Sequence, residues 1–191
     1  MLATTNPDKI REIRAIIGHL PIALVTLGGF PPIVPPEETG ATFADNAKLK
    51  ALYYARATGL PAVAEDSGLE VDALDGAPGV QSARFGGERA TYPERFEKLY
   101  AMLDARGGRD STARFVCHVA LADAGHVIFD ARGTVEGRVS PEPRGTHGFG
   151  YDPIFLHPPS GMTLAEVSDD AKRAVSHRGE AFRKLAAFFE A

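Results

Sequence analysis

Residues 42–68 read TFADNAKLKALYYARATGLPAVAEDSG, and two different periodicities meet inside them. The first part is helical: Thr42 is an N-cap, Asp45 completes a near capping box three residues later, and Gly59 supplies the stop. The second part, Pro61-Ala62-Val63-Ala64, is a short apolar run of the kind a buried strand uses. It breaks off at Glu65-Asp66-Ser67-Gly68, which reads as the turn where that strand ends. A helix followed directly by a buried strand points to an α/β protein.

Toward the N-terminus, Asn6-Pro7-Asp8-Lys9 places a capping residue before a proline at the first helical position. Ile10, Ile13, Ile16 and Ile17 then recur at helical spacing, and Gly18 ends the helix. Met1-Leu2-Ala3 before it is only the stub of a strand. Residues 28–40, with Pro31-Pro32-Ile33-Val34-Pro35-Pro36, read as a stiff surface loop. Toward the C-terminus, a glycine-rich stretch from Gly76 to Gly87 precedes a helix from about Thr91 to Leu103, with Phe96, Leu99, Tyr100 and Leu103 on one face. Phe115, Cys117, Val119 and Leu121 alternate as a strand, and Asp123-Ala124-Gly125 turns the chain into a partner over Val127–Val135. A second glycine-rich loop runs from Gly145 to Pro153. The final helix starts near Ser176 with Phe182, Leu185, Ala186 and Phe189 as its apolar stripe. Helices and strands intermix throughout, so the predicted class is α/β with a mixed sheet.

The chain has 191 residues, a net charge of −4 and no block of lysines or arginines, which argues against nucleic-acid binding as its main task. No apolar run approaches a membrane span and no secretion pattern opens the chain, so the expected location is cytoplasmic and no membrane partner is expected. The single Cys117 cannot form an internal disulfide. Amide side chains are scarce: Asn6, Asn46 and Gln81 are all there are, against 14 prolines. Heat adaptation and GC-rich codon usage both account for that bias.

The sharpest chemical signal is Glu65-Asp66-Ser67-Gly68. Clustered carboxylates repel one another and are costly to bury unless a cation joins them. One reading is a Mg²⁺ site with an activated water; the other is a solvated acidic turn. Glu37-Glu38-Thr39-Gly40 is a second acidic pair, with helix-dipole stabilisation as its simpler reading. Lys9, Lys50, Arg84, Lys172 and Arg178 are the cationic candidates, and Lys9 and Arg178 lie at helix N-termini, where backbone amides favour anions. The stretch from Gly145 to Pro153 combines backbone freedom, two aromatic rings and a carboxylate, which suits stacking on a base and reading its edge; the other reading is a tight connection between strands with core aromatics. P-loop, Rossmann, zinc and nucleophile-elbow patterns are lacking.

Taken in order, Thr4-Thr5-Asn6-Pro7-Asp8-Lys9, Glu37-Glu38-Thr39-Gly40, Glu65-Asp66-Ser67-Gly68, Gly148-Phe149-Gly150-Tyr151-Asp152-Pro153 and Ser176-His177-Arg178 resemble the inosine-triphosphate pyrophosphatase family. Its members hydrolyse the purine nucleoside triphosphates ITP, dITP and XTP to the monophosphate and pyrophosphate. The resemblance spans residue 2 to about 189 and implies one domain over residues 1–191. Its fold would be an elongated mixed β-sheet with flanking helices, two lobes around a central cleft, assembled as a homodimer. It implies Mg²⁺ as cofactor, with Glu38, Glu65 and Asp66 around the metal and Asp66 as general base. It further implies that Thr4, Thr5, Asn6, Pro7, Asp8, Lys9 and Lys50 bind the triphosphate and that Ser67 touches substrate. Phe149, Gly150, Tyr151 and Asp152 would contact the base, and Lys172, His177 and Arg178 would read its 6-oxo edge. Lys and Arg donate and never accept, so they favour an oxo group over adenine's amino group. Thr5 stands where many members have Gly, and the first strand is clipped at Met1. Two other functions fit the same motifs: a pyrophosphatase for pyrimidine or modified triphosphates, and a nucleotide sensor without turnover.

Overall fold

The structure is a computed structural model describing residues 1–191. In chain order it has α1 (Pro7–Ile17), α2 (Phe43–Thr58), β1 (Ala62–Val71), α3 (Tyr92–Asp104), β2 (Thr112–Asp123), β3 (His126–Val139), β4 (Phe155–His157), β5 (Met162–Thr163), α4 (Asp169–Val175) and α5 (His177–Glu190). The strands form one sheet in the order β1-β2-β3-β4-β5. β4 pairs antiparallel with β3 through Arg138↔Leu156 and with β5 through Leu156↔Thr163. Leu2 adds parallel bridges to Thr26 and Val63, which makes the strand pairing mixed.

Local chemistry sets the boundaries. Asn6 caps α1, Thr42 and Asp45 form a reciprocal capping box on α2, and Gly59 closes α2 in the left-handed region at φ 67°. Ala124 and Gly125 take φ of 46° and 85°, the paired positive values of a tight hairpin turn matched to strand twist.

Two expectations are corrected and one element is added. β1 does not stop at Ala64 but runs for 10 residues through the acidic cluster to Val71. Leu69 and Val71 are buried and continue the strand, and Glu65 and Asp66 are tolerated within it because cations meet their charges. α4 is an added element that periodicity does not reveal, because its seven residues, DDAKRAV, carry no apolar stripe. Phe189 is 40% exposed, since the last turn of α5 outruns the core that holds Phe182, Leu185 and Ala186.

The chain divides into two compact units. The first comprises residues 1–67, 117–134 and 176–191. In it Ile13, Ile16 and Ile17 of α1 pack with Phe182 and Leu185 of α5, and with Val63, Cys117, Val119 and Leu121 of the sheet. A second cluster there is nearly all alanine: Ala47, Ala51 and Ala55 of α2 meet Ala62, Ala64, Ala120 and Ala122, small side chains that bring α2 close to the strands. The second unit comprises residues 68–116 and 135–175, with Phe96, Leu99 and Leu103 of α3 packed on Leu69, Val71, Phe115, Phe155 and Ile154. No helix is long and apolar enough to cross a membrane.

Candidate active site

Because β1 continues through residues 65–67, its side chains alternate between faces. Glu65 and Ser67 point to the α1 and α5 side, while Asp66 points to the α2 side. The two neighbouring acids therefore belong to different clusters, and no three acidic, histidine or cysteine side chains gather as a metal-binding group. Of the expected trio, Glu38 and Asp66 share Lys50, while Glu65 pairs with Lys9 and Arg178.

On the first face, Glu65 Oε1 receives Lys9 Nζ at 2.6 Å and Arg178 Nη2 at 3.4 Å, and the Cys117 thiol donates to Oε2 at 3.2 Å. Arg178 also donates through Nη1 to Glu12 at 2.6 Å and through Nη2 to Ser67 Oγ at 3.0 Å. Arg178 is only 2% exposed and Glu65 only 4%. Burial works to raise the Glu65 pKa, but the Arg178 and Lys9 charges overcome it and hold the carboxyl well below the usual range. Burial also opposes the charge on Arg178, and Glu65 and Glu12 outweigh it, so the guanidinium pKa is raised. Burial and the Glu65 charge push the Cys117 thiol well up, which keeps it a donor. Glu12 is not among the residues the motifs nominate. It sits three residues after Lys9, on the same face of α1, and that spacing is the available signal.

On the second face, Lys50 Nζ bridges Asp66 Oδ1 at 2.9 Å and Glu38 Oε1 at 2.6 Å. The Asn46 amide donates to Asp66 Oδ2 at 3.2 Å. Burial raises the Asp66 pKa; Lys50 opposes this, and the nearby charges of Glu38 and Glu65 reinforce it. Asn46 and Lys50 lie four residues apart on α2 and so share a face.

The N-terminal segment is self-capped. Asn6 Oδ1 accepts from the amides of Asp8 and Lys9 at 2.9 and 3.2 Å, and Thr4 Oγ1 accepts from Asn6 N at 3.2 Å. Asp8 pairs with Arg11, while Thr5 and Pro7 are exposed. At the other helix start, Ser176 caps α5 by accepting from Gly179 N, and His177 is buried beside it.

The second unit holds a third group. Asp152 Oδ2 accepts from Phe149 N at 2.7 Å and from Lys172 Nζ at 2.6 Å, and Lys172 Nζ lies 4.6 Å from the Phe149 ring centre. The loop reaches this shape through Gly145, Gly148 and Gly150, with φ of 82°, 70° and 70°. Gly148 has a further reason to lack a side chain, because a Cβ there would strike Asp152 Oδ2. Tyr151, which the resemblance places at the base, is only 3% exposed. It is a core residue, donating its hydroxyl to Ser82 O at 2.9 Å and meeting Tyr92 edge-on at 5.4 Å.

The two ion-pair groups around Glu65 and Asp66 hold three cations, Lys9, Lys50 and Arg178, against four carboxylates, Glu12, Glu38, Glu65 and Asp66. Such a set can orient a water at a buried carboxylate and offer ammonium groups to an anion. It is short of positive charge for a polyphosphate unless a metal cation joins it.

The chain matches the Ham1 family over residues 1–188. The dITP/XTP pyrophosphatase of Geobacter sulfurreducens is 47% identical over 185 residues, 97% of this chain and 93% of the relative. That of Thermus thermophilus is 49% identical over 97% of this chain and 88% of its own length. A solved HAM1 protein from Coxiella burnetii superposes with a TM-score of 0.91 at 42% identity, covering 100% of this chain and 98% of its own. Fold, length and sequence agree with the resemblance read from the five motifs: the chain belongs to the Ham1 family.

Proposed function

We propose that this protein hydrolyses the non-standard purine nucleoside triphosphates ITP, dITP and XTP to the monophosphate and pyrophosphate; the relatives' names carry dITP and XTP. The observation that carries the reading is Asp66, a strand carboxylate gripped at one oxygen by a lysine that also grips Glu38. Asp66 orients a water and accepts its proton as the water oxygen attacks phosphorus at the α–β junction. The bond to the bridging oxygen breaks and pyrophosphate leaves. Lys9 and Lys50 turn from their carboxylates to the phosphate oxygens, with Thr4 to Asp8 beside them.

The donor set fits magnesium. Glu38 and Asp66 are hard oxygen donors already turned toward one cationic group, whereas Glu65 faces the buried Arg178 even when Lys9 turns to phosphate. Magnesium held by Glu38 and Asp66 would supply the missing positive charge at the phosphates. Phe149 offers a ring for the base, and Lys172, oriented by Asp152, offers a donor to a 6-oxo group. Arg178 keeps Glu65 and Ser67 in place. A homodimer in the cytoplasm completes the proposal, and sedimentation velocity reads the oligomeric state.

Pyrophosphate release from ITP, XTP, dITP, GTP, ATP and a pyrimidine triphosphate, with Mg²⁺ and with EDTA, tests the function. Mg²⁺-dependent release confined to ITP, dITP and XTP is expected. Binding without release would favour a sensor, and release from the pyrimidine substrate would favour the other enzymatic reading. Gly148→Ala tests the base loop on its own. The left-handed backbone and the clash with Asp152 should cost about 1–3 kcal/mol, which raises KM for ITP roughly 5- to 150-fold and changes kcat little. An unaltered KM would remove this loop from substrate recognition.

A further inference from the structure

The chain contains only two asparagines. Asn6 is a helix cap, a common place for the residue. Asn46 is different: it lies inside α2, where asparagine is a weak helix former, and is only 1% exposed. Its Oδ1 accepts from Gly40 N at 2.8 Å and its Nδ2 donates to Asp66 Oδ2 at 3.2 Å. A backbone N–H can only donate, so the amide orientation is fixed: oxygen toward Gly40, nitrogen toward Asp66.

Asn46 thereby joins two chain segments far apart in sequence. At one end it holds one Asp66 oxygen while Lys50, one turn along the same helix, holds the other. At the other end it ties down Gly40, two residues after Glu38, whose carboxylate takes the same lysine. Gly40 explains itself by the same contact. Its φ is not in the left-handed region, yet a Cβ there would lie 2.6 Å from Asn46 Oδ1, 2.6 Å from Asp45 Cβ and 2.9 Å from Asn46 N. The glycine is required for close approach and not for backbone freedom.

We propose that Asn46 is a positioning residue that sets the Asp66 carboxylate and the loop carrying Glu38 in fixed register for water activation. This rests on the reading of Asp66 as the base. A helix side chain whose two polar atoms each have one assigned partner cannot drift without releasing one of them, and displacement of a reacting group by about 1 Å can cost roughly 100-fold in rate.

The test compares Asn46→Leu, near in size and without polar atoms, with Gly40→Ala, which displaces the same amide from the loop side. Asp66→Asn is measured alongside. The readouts are kcat and KM for ITP, nucleotide affinity in EDTA, the Mg²⁺ concentration for half-activation, and the thermal midpoint. Asn46→Leu is expected to lower kcat about 10- to 100-fold, with nucleotide affinity in EDTA within about twofold of wild type and a raised Mg²⁺ requirement. Gly40→Ala should shift the same quantities in the same direction. A kcat for Asn46→Leu within about twofold of wild type overturns the proposal. So does a loss of kcat and nucleotide binding in step with the folded fraction, which marks a purely structural asparagine. Turnover lost in Asp66→Asn but kept in Asn46→Leu overturns the Asn46 role alone. Turnover kept in Asp66→Asn overturns the base reading beneath it.

Discussion

Asp66→Asn is expected to lower pyrophosphate release from ITP by about 10²- to 10⁴-fold, the usual contribution of a general base, while nucleotide binding persists. The substitution is close to isosteric, and residue 66 lies within β1 between the buried residues Ala64 and Leu69, so the strand has no reason to unfold. What changes is chemistry. An amide accepts no proton from water, and its nitrogen cannot accept from either Lys50 or Asn46, so one of those contacts is lost. Charge moves the other way. Removing one carboxylate leaves three against three cations, so nucleotide affinity measured in EDTA should stay equal to wild type or tighten. Single-turnover release and equilibrium binding, measured on the same preparation, separate the two effects. A rate within about tenfold of wild type would mean that another group takes the proton.

The parts of this fold that are legible in the sequence are those decided within a few residues. Asn6 with Pro7, Thr42 with Asp45, and Gly59 each satisfy or terminate a helix end through local hydrogen bonds, so their spacing carries the information. The hairpin turn at Ala124-Gly125 is of the same kind. What is not legible depends on partners distant in sequence. Glu65-Asp66 looks like a turn because charge normally ends a buried strand; the cations that let the strand continue come from α1, α2 and α5. Once the strand continues, alternation alone turns Glu65 and Asp66 to opposite faces and gives them different cationic partners, which a turn does not foretell. Tyr151 sits in a loop of exposed-type residues, and only the Ser82 carbonyl and the Tyr92 ring reveal it as core. Asn46 has one faint signal, its persistence in a chain nearly devoid of amides.

Glu65→Gln should be the most destabilising conservative change in the first unit. Glu65 is the carboxylate on which Lys9 and Arg178 both converge, and Arg178 is buried. Glutamine keeps the size and one acceptor oxygen but removes the charge, leaving Arg178 with Glu12 as its remaining ionic partner in this group. Breaking a buried pair from one side costs about 3–5 kcal/mol, because the remaining charge has already lost its water. For a chain of this length that corresponds to a fall in thermal midpoint on the order of 10 °C. The effect has a defined pH dependence. The folded-state pKa of Glu65 lies well below its ordinary value of 4.5, so in the acidic range the unfolded chain binds the proton first. Stability from this carboxylate is then complete above the ordinary carboxylate range and drains away as pH falls through that range toward the folded-state pKa. The gap in thermal midpoint between wild type and Glu65→Gln should therefore be level from about pH 8 to about pH 5 and narrow progressively below. Calorimetry across that range checks both statements. A gap under about 2 °C at neutral pH would show that Glu12 alone suffices for Arg178. A gap that widened on acidification would mean that the charge on Glu65 is a burden to the fold, tolerated for the sake of holding Lys9.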